Sequence, residues 1–324
     1  ERQTWSDIAQ HSNLPKLVIM SIVTSPIDLS LLPAPDALEV VDFEEIYAAR
    51  KQRLVDLFPV EVQQEVYETL ALESEPISKL LQENAYREIV LRQRVNDCVR
   101  RVLLAFAKGA DLDHLGAKYY VFRLVVQPAQ PEASPPVPLI MEDDDAFLER
   151  IQDAYEGLST AGPRGAYEFH TRSADGRVVD ARAVSPEPCD VDVYVLSFEG
   201  DGTASPELLD IVDQALNDED IRPLGDRVTV RSSVIVPYQI IAKLHMKSPG
   251  PGKDLAIELA RQQTTKYAQR RRRQGWSVWL SKLDSLMHVE GVERVEIIEP
   301  SADIVLLESQ AAYCTGIDIQ EAQA

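Results

Sequence analysis

The alternation of apolar and polar positions is clearest between Pro76 and Lys108, where it predicts one long amphipathic helix. Apolar side chains recur there at intervals of three and four residues, which places them along one narrow face. That face is formed by Leu91, Val95, Cys98, Val102 and Phe106. Charged residues fill the other faces, and Gly109 is positioned to end the helix. Because such nearly heptad-spaced seams usually pack on other helices, we interpret the five residues as a candidate helical interface.

Two shorter helical patterns lie upstream of this helix. The first runs from Phe43 to Phe58 with Leu57 on its apolar face, and after Pro59 the second runs from Val60 to Leu72. Residues 1–40 contain four prolines, which favours an extended arm over long helices. Two arrangements stay open: the upstream helices fold back over the long helix, or all helices of this region join a bundle with other chains. We favour the second.

A stretch in the middle of the chain combines two helices and a strand. Asp143 supplies an N-cap, and Phe147, Ile151 and Tyr155 are spaced to bury one face of the first helix. A Gly-Pro turn leads into a second helix, and alternation from Val178 to Val184 then predicts a strand. Similar alternations and helical patterns follow up to the C-terminus. The fold class predicted is therefore α+β with several domains.

The clearest domain boundary is a proline-rich segment with five prolines between Pro128 and Pro138. Such a composition is typical of an exposed, semi-rigid linker. The predicted organisation is an extended N-terminal arm at 1–40, a helical bundle region at 41–126, a proline-rich linker at 127–140, a first α+β module at 141–236 and a second α+β module at 237–324.

Composition narrows the possible partners. The formal net charge of −20 repels phosphate, so a direct nucleic-acid partner is disfavoured. The three cysteines are widely separated and form neither a disulfide framework nor a zinc motif. The early apolar run from Leu17 to Val23 is too short to span a bilayer, so we expect no membrane partner.

Candidate chemistry is sparse, and we expect no catalytic residue, no metal and no cofactor. Glu168 and His170 are residue types that suit proton transfer, but two residues apart on a helix their side chains diverge, which favours a structural role. Asp201 resembles part of a calcium loop but lacks the remaining ligands, which favours an ordinary Asp-Gly turn. The run Arg270–Arg273 suggests a solvated helix end, with docking on an acidic neighbour or on nucleic acid as alternatives.

Several motifs in fixed order resemble one known family. They are the stretch Asp143–Val184, LLAFAKGADLDHLGAKYYVFRL after the long helix, and SFEGDGTASPELL, DEDIRPLGDRVTV and VPYQI further on. Over about residues 76–324 the chain is similar to the baseplate J family, the wedge proteins found in baseplates of P2-like contractile-tail phages. The first 75 residues match this pattern less distinctly.

This resemblance implies a structural, non-enzymatic subunit of the baseplate wedge, located in the virion tail and assembled in the host cytoplasm. Its implied partners are a second copy within the wedge, other wedge proteins joined through a helical bundle, and neighbouring wedges in a six-fold ring. The ring surrounds the tail hub, and its change of shape triggers sheath contraction. The alternatives are a tail-associated cell-wall hydrolase and the equivalent wedge adaptor of a tailocin or contractile injection system.

Overall fold

The computed structural model describes residues 27–158, 162–247 and 252–322. Its α-helices are α1 (Phe43–Asp56), α2 (Gln63–Leu70), α3 (Pro76–Val102), α4 (Gly109–Ala117), α5 (Asp144–Asp153), α6 (Arg164–Ala174), α7 (Pro206–Leu216), α8 (Lys253–Arg270) and α9 (Leu280–Met287). Its strands are β1 (Val125–Gln127), β2 (Ile140–Met141), β3 (Val178–Val184), β4 (Asp190–Ser197), β5 (Arg227–Ser232), β6 (Val234–Met246), β7 (Val292–Glu299) and β8 (Gln310–Glu321). The fold class is α+β, as predicted. Most of the predicted N-terminal arm lies outside the described residues.

The long helix α3 is continuous over 27 residues but ends earlier than predicted. Pro76 occupies its first turn, where a missing N–H costs nothing. At the other end Leu103 adopts an extended conformation, so Gly109 does not terminate this helix. Gly109 instead begins α4 with a φ of +53°, and its N–H donates to the Asp144 carboxylate at 3.2 Å.

The proline-rich segment forms a loop whose two ends meet. Strands β1 and β2 pair antiparallel across it, and Gln130 bridges Val137 inside it. The buried Arg150 guanidinium donates to Glu142 at 2.8 and 2.7 Å and to the Phe122 carbonyl at 2.6 Å. The bond to Phe122 therefore joins the chain after the loop to the chain before it.

A small hydrophobic cluster also spans this loop. Leu112 and Val121 precede the loop, Phe147 and Ile151 follow it, and all four are buried. Gly116 allows the close approach, because a Cβ there would lie 2.6 Å from the Phe147 ring. Helices α4 and α5 therefore pack directly on each other.

The first three-stranded sheet has the order β3-β4-β5. β3 and β4 are antiparallel, whereas β4 and β5 are parallel and are connected through α7. Ser205 caps α7 by accepting from the Leu208 N–H, and Leu208, Val212 and Leu216 pack on the sheet. The predicted strand 178–184 is thus confirmed.

The second sheet has the order β7-β6-β8 and repeats the same strand directions. β6 is antiparallel to β7 and parallel to β8. Helices α8 and α9 cover one face, where Ile240 and Leu244 meet Ala260, Leu283 and Met287. The pair α9-β7 follows the central strand, whereas its counterpart α6-β3 precedes the central strand of the first sheet.

Two residues predicted to be buried on helix faces are exposed. Leu57 lies beyond the end of α1 and Tyr155 lies beyond the end of α5, so neither shares the face of its helix. The helical spacing of apolar residues continues in the sequence beyond the point where each helix ends, so the pattern predicted both helices too long. Val55 fills the buried position in α1 instead.

The domain boundaries remain a prediction, which cleavage of the proline-rich loop tests. A protease site inserted between Ala133 and Ser134 should be cut readily in the folded protein, since Ser134 is exposed and the loop ends are joined elsewhere. We expect the two fragments to co-elute on gel filtration under native conditions, because the bond from Arg150 to the Phe122 carbonyl and the cluster around Phe147 hold them together. Separation of the fragments would instead show two independently compact parts.

Candidate interaction surface

The predicted interface residues on α3 form an exposed apolar seam. Leu91, Val95 and Val102 are 65%, 60% and 67% exposed, and Cys98 is also exposed. Together with Arg94 and Val99 the four line a shallow groove of about 540 Å³. Large apolar side chains are rarely exposed in such a continuous row on a monomer. The seam therefore has the properties of a surface that another helix covers.

Phe106, the fifth predicted residue, is not part of this helix. α3 ends at Val102, and Phe106 lies in the turn that leads to α4, where it is 43% exposed. Its backbone N–H donates to the Leu103 carbonyl at 3.0 Å. Phe106 thus extends the apolar surface beyond the helix end, and the assignment of all five residues as an interface stays a prediction.

Another face of α3 makes polar contacts within the chain. Asn96 is 3% exposed and exchanges two hydrogen bonds with the Glu39 backbone, at 2.8 and 3.1 Å. Glu88 accepts from Arg50 of α1 and from Arg92, and Arg92 reaches Glu39 at 2.9 Å. The helix α1 packs here, so the described residues upstream of α3 contact its polar face and leave the seam open.

A second set of polar residues joins the two sheets to α5. Arg273 donates to both oxygens of Glu149, at 2.6 and 2.8 Å. The adjoining Gln274 is fully buried, donates its N–H to Asp180 at 2.9 Å and donates its amide to the Tyr194 carbonyl at 2.9 Å. We call residues Arg272–Gln274 the junction segment, because it enters the first sheet from the end of α8.

Arg272 completes the junction segment. Its guanidinium donates to three carbonyls at the end of β4, of which Gly200 is the nearest at 2.9 Å. The interpretation of the arginine run as a solvated helix end is therefore wrong for Arg272 and Arg273, whose partners lie far away in sequence. The run itself was visible, but no local pattern identifies Glu149, 124 residues away, as the partner.

The two candidate catalytic residues, Glu168 and His170, make structural contacts within the chain. Glu168 is buried and accepts from Arg182 at 3.4 Å and from the Ala183 N–H at 3.4 Å. Burial raises the pKa of Glu168, and Arg182 opposes this effect. Burial lowers the pKa of His170, which stacks edge-on against Phe169.

The candidate calcium loop at Asp201 forms a turn. Asp201 accepts from the Thr203 N–H at 2.9 Å, which is the geometry of an ordinary turn. Within 27–158, 162–247 and 252–322, no group of three or more His, Cys, Asp or Glu side chains is arranged to hold a metal ion. None of the helices described is long and apolar enough to cross a bilayer.

Comparison with known proteins gives a consistent set of relatives. The baseplate J-like N-terminal domain matches residues 73–130, and the baseplate J-like central domain matches residues 159–232. Baseplate protein J of Escherichia phage P2 is 51% identical over 289 residues, which cover 89% of this chain and 95% of that protein.

A more distant similarity is found among solved structures. A chain in the six-fold symmetrised cryo-EM structure of the anti-feeding prophage baseplate superimposes with a TM-score of 0.38 and 15% identity. The match covers 56% of this chain and 44% of that one, so the chain spans less than half of that neighbour.

The junction segment should contribute measurably to stability. Replacing Arg273 by Leu leaves Glu149 with a single, longer bond from Arg172, and we expect the free energy of unfolding to fall by about 1.5–3 kcal/mol. Replacing Arg270 by Leu, which removes an exposed arginine of the same run, should change it by less than about 0.5 kcal/mol. Denaturant unfolding monitors both. Equal effects would contradict the assignment.

His170 should make stability depend on pH. Its pKa is lowered in the folded state, so the unfolded chain binds a proton that the folded chain resists. Its contribution is present above the ordinary value of 6.5 and is lost as pH falls below it. We expect His170→Gln to reduce the loss of unfolding free energy between about pH 7 and pH 5.5. His114→Gln, at an exposed position, is the control, and an unchanged loss in His170→Gln would refute the effect.

Proposed function

This chain belongs to the baseplate J family, and from that premise we propose that it is a structural wedge subunit of a contractile-tail baseplate. The premise rests on 51% identity to a phage baseplate protein over almost the full length of both chains. The observation that carries the proposal is the open apolar seam on α3, which stays exposed although another face of the helix is already packed within the chain. A subunit of a larger assembly needs such a surface.

The proposed partners at the seam are helices. Leu91, Val95, Cys98 and Val102 follow the spacing of four, three and four residues that one helix presents to another. Polar contacts hold α1 on the far side, so covering the seam requires no rearrangement of the bonds described there. We propose that a second copy and a further baseplate protein supply the covering helices. The location would be the virion tail, after assembly in the host cytoplasm.

The proposed mechanism is mechanical. The α+β part would form a ring around the tail hub with neighbouring wedges, and the ring would trigger sheath contraction by changing from one arrangement of subunit contacts to another. The junction segment supports this proposal, because it ties both sheets to α5 and lets the α+β part transmit force as one body. The same reasoning applies to a wedge adaptor of a tailocin or an injection system.

The alternative of a cell-wall hydrolase receives less support. Such an enzyme needs two carboxyl groups facing one pocket. The buried carboxylates of the described residues each have a structural partner: Glu142 pairs with Arg150, Glu168 with Arg182, and Asp180 accepts from the Gln274 N–H. This use of buried acids favours the structural role.

The seam is tested by Val95→Asp in the full chain. A carboxylate placed in a dry helical interface is costly, so we expect the variant to lose assembly with its partner helices. Because Val95 is exposed within the chain, its melting temperature should stay near that of the wild type. The matched control is Gln93→Asp, which adds the same single negative charge at an exposed position about 160° around the helix from Val95. Normal wedge stoichiometry in Val95→Asp would contradict the proposal.

Cysteine crosslinking gives an independent measurement of the same contact. Cys98 lies in the seam, whereas Cys189 is exposed in a distant loop. We expect a short bismaleimide reagent to link two copies in wild type and in Cys189→Ser, but not in Cys98→Ser. Loss of the crosslink in Cys189→Ser with retention in Cys98→Ser would place the contact between copies outside the seam.

A further inference from the structure

A basic and aromatic patch lies at the C-terminal end of α8, on a chain with a formal net charge of −20. Lys266 and Arg270 are exposed one helical turn apart, and within the described residues neither has an ion-pair partner. Arg271 stacks on two rings, with its guanidinium carbon 5.3 Å from the Tyr267 centroid and 5.1 Å from the Trp276 centroid. We call Lys266, Arg270, Arg271 and Trp276 the basic patch.

The basic patch combines a tryptophan held in place by neighbouring arginines with surface that remains accessible to a partner. Trp276 is 38% exposed although two arginines stack on it, so its ring is held in place while part of its surface stays accessible. Leu307 lies beside Gly275 and is also exposed. The acid next to it, Glu308, is already paired with Arg164 at 2.9 Å. Tryptophan and arginine held in this way are typical of the residues that carry binding energy at protein interfaces.

The same chain has a surface of complementary charge and shape. The loop after α7 carries three exposed acids at 218–220, and its tip residue Leu224 is fully exposed at 103%. Within the described residues Arg222 forms no ion pair with these acids, and its guanidinium donates to Asn217 at 2.9 Å. The end of the loop is held by Tyr167, whose hydroxyl donates to Asp226 at 2.8 Å. We call residues 218–224 the acidic loop.

We propose that the acidic loop of one copy docks on the basic patch of a second copy. The acids at 218–220 would face Lys266 and Arg270, and Leu224 would pack on Trp276. Because the contact joins two different surfaces, it is heterologous, and repetition of such a contact generates a ring or a filament. The inference rests on the proposed function, since it names the contact through which neighbouring copies would meet.

A second copy is the partner that the charges favour. Phosphate groups of nucleic acid also fit two free cations, but the remaining surface of this acidic chain repels a polyanion. A second copy also carries net negative charge, but it brings only the acidic loop close to the two cations, and salt screens charges more than about 10 Å away. The leucine at the tip of the loop also uses the exposed tryptophan surface, which a phosphate cannot do.

A charge swap in the full chain tests the contact. One variant carries Lys266→Glu with Arg270→Glu, and the other carries Glu219→Lys with Asp220→Lys, which leaves the turn hydrogen bond of Asp218 intact. Each variant alone opposes like charges, so its self-association in sedimentation velocity at low salt should fall on the order of tenfold. An equimolar mixture should restore association, because each contact then joins opposite charges.

The outcomes separate this contact from the seam on α3. Restoration in the mixture, with loss of association at high salt, supports the inference. Failure of the mixture to associate, wild-type association of either variant alone, or a shift of the wild type with duplex DNA but not with concentration would overturn it. Unchanged melting temperatures show that both variants fold. The Cys98 crosslink, measured in the same samples, reports the seam: its loss with a working charge swap would overturn only the seam proposal.

Discussion

The pair between Arg273 and Glu149, together with the buried Gln274 beside it, is the contact on which the α+β part depends. Glu149 belongs to α5, Gln274 reaches Asp180 of β3 and the Tyr194 carbonyl of β4, and Arg273 follows α8. Three regions distant in sequence therefore meet at two adjacent residues. Because these groups are largely removed from water, each must keep its partner, and this requirement fixes the position of the second sheet on the first.

The contacts around the junction segment also argue against the proline-rich loop as a linker between freely moving domains. A linker between freely moving domains would have few contacts across it. Here the bond from Arg150 to the Phe122 carbonyl and the cluster around Phe147 join residues on both sides of the loop, and Glu149, one residue before Arg150, continues the connection to the second sheet. A continuous path of hydrogen bonds thus runs from the end of the helical region to the C-terminal sheet. Such a path fits the proposed transmission of force through the subunit.

Local signals sufficed for most elements. The pair Ser205-Pro206 indicates the start of a helix, the alternation from Val178 indicates β3, and the spacing of apolar residues in α3 indicates its seam. The structure contains all three. The helix ends were harder, since the periodicity around Phe106 and Tyr155 continues after the backbone has left the helix. The contacts of the junction segment could not be predicted from the sequence, because a bond between residues 124 apart has no local signature. For the same reason the sequence does not reveal that α1 packs on the side of α3 that carries Glu88, away from the seam.

The packing of α1 on that side of α3 leaves the seam available for the proposed assembly. With Asn96 and Glu88 bound on the inside, the apolar seam remains for other chains, while a net charge of −20 keeps separate copies apart. The two proposed contacts, through the seam and through the basic patch, would respond to salt in opposite ways, since salt strengthens apolar association and screens ion pairs. Helical pairing through the seam can therefore persist under conditions in which contacts through the basic patch are weak. A subunit with one contact of each kind can form a stable unit first and join such units through weaker, reversible contacts afterwards.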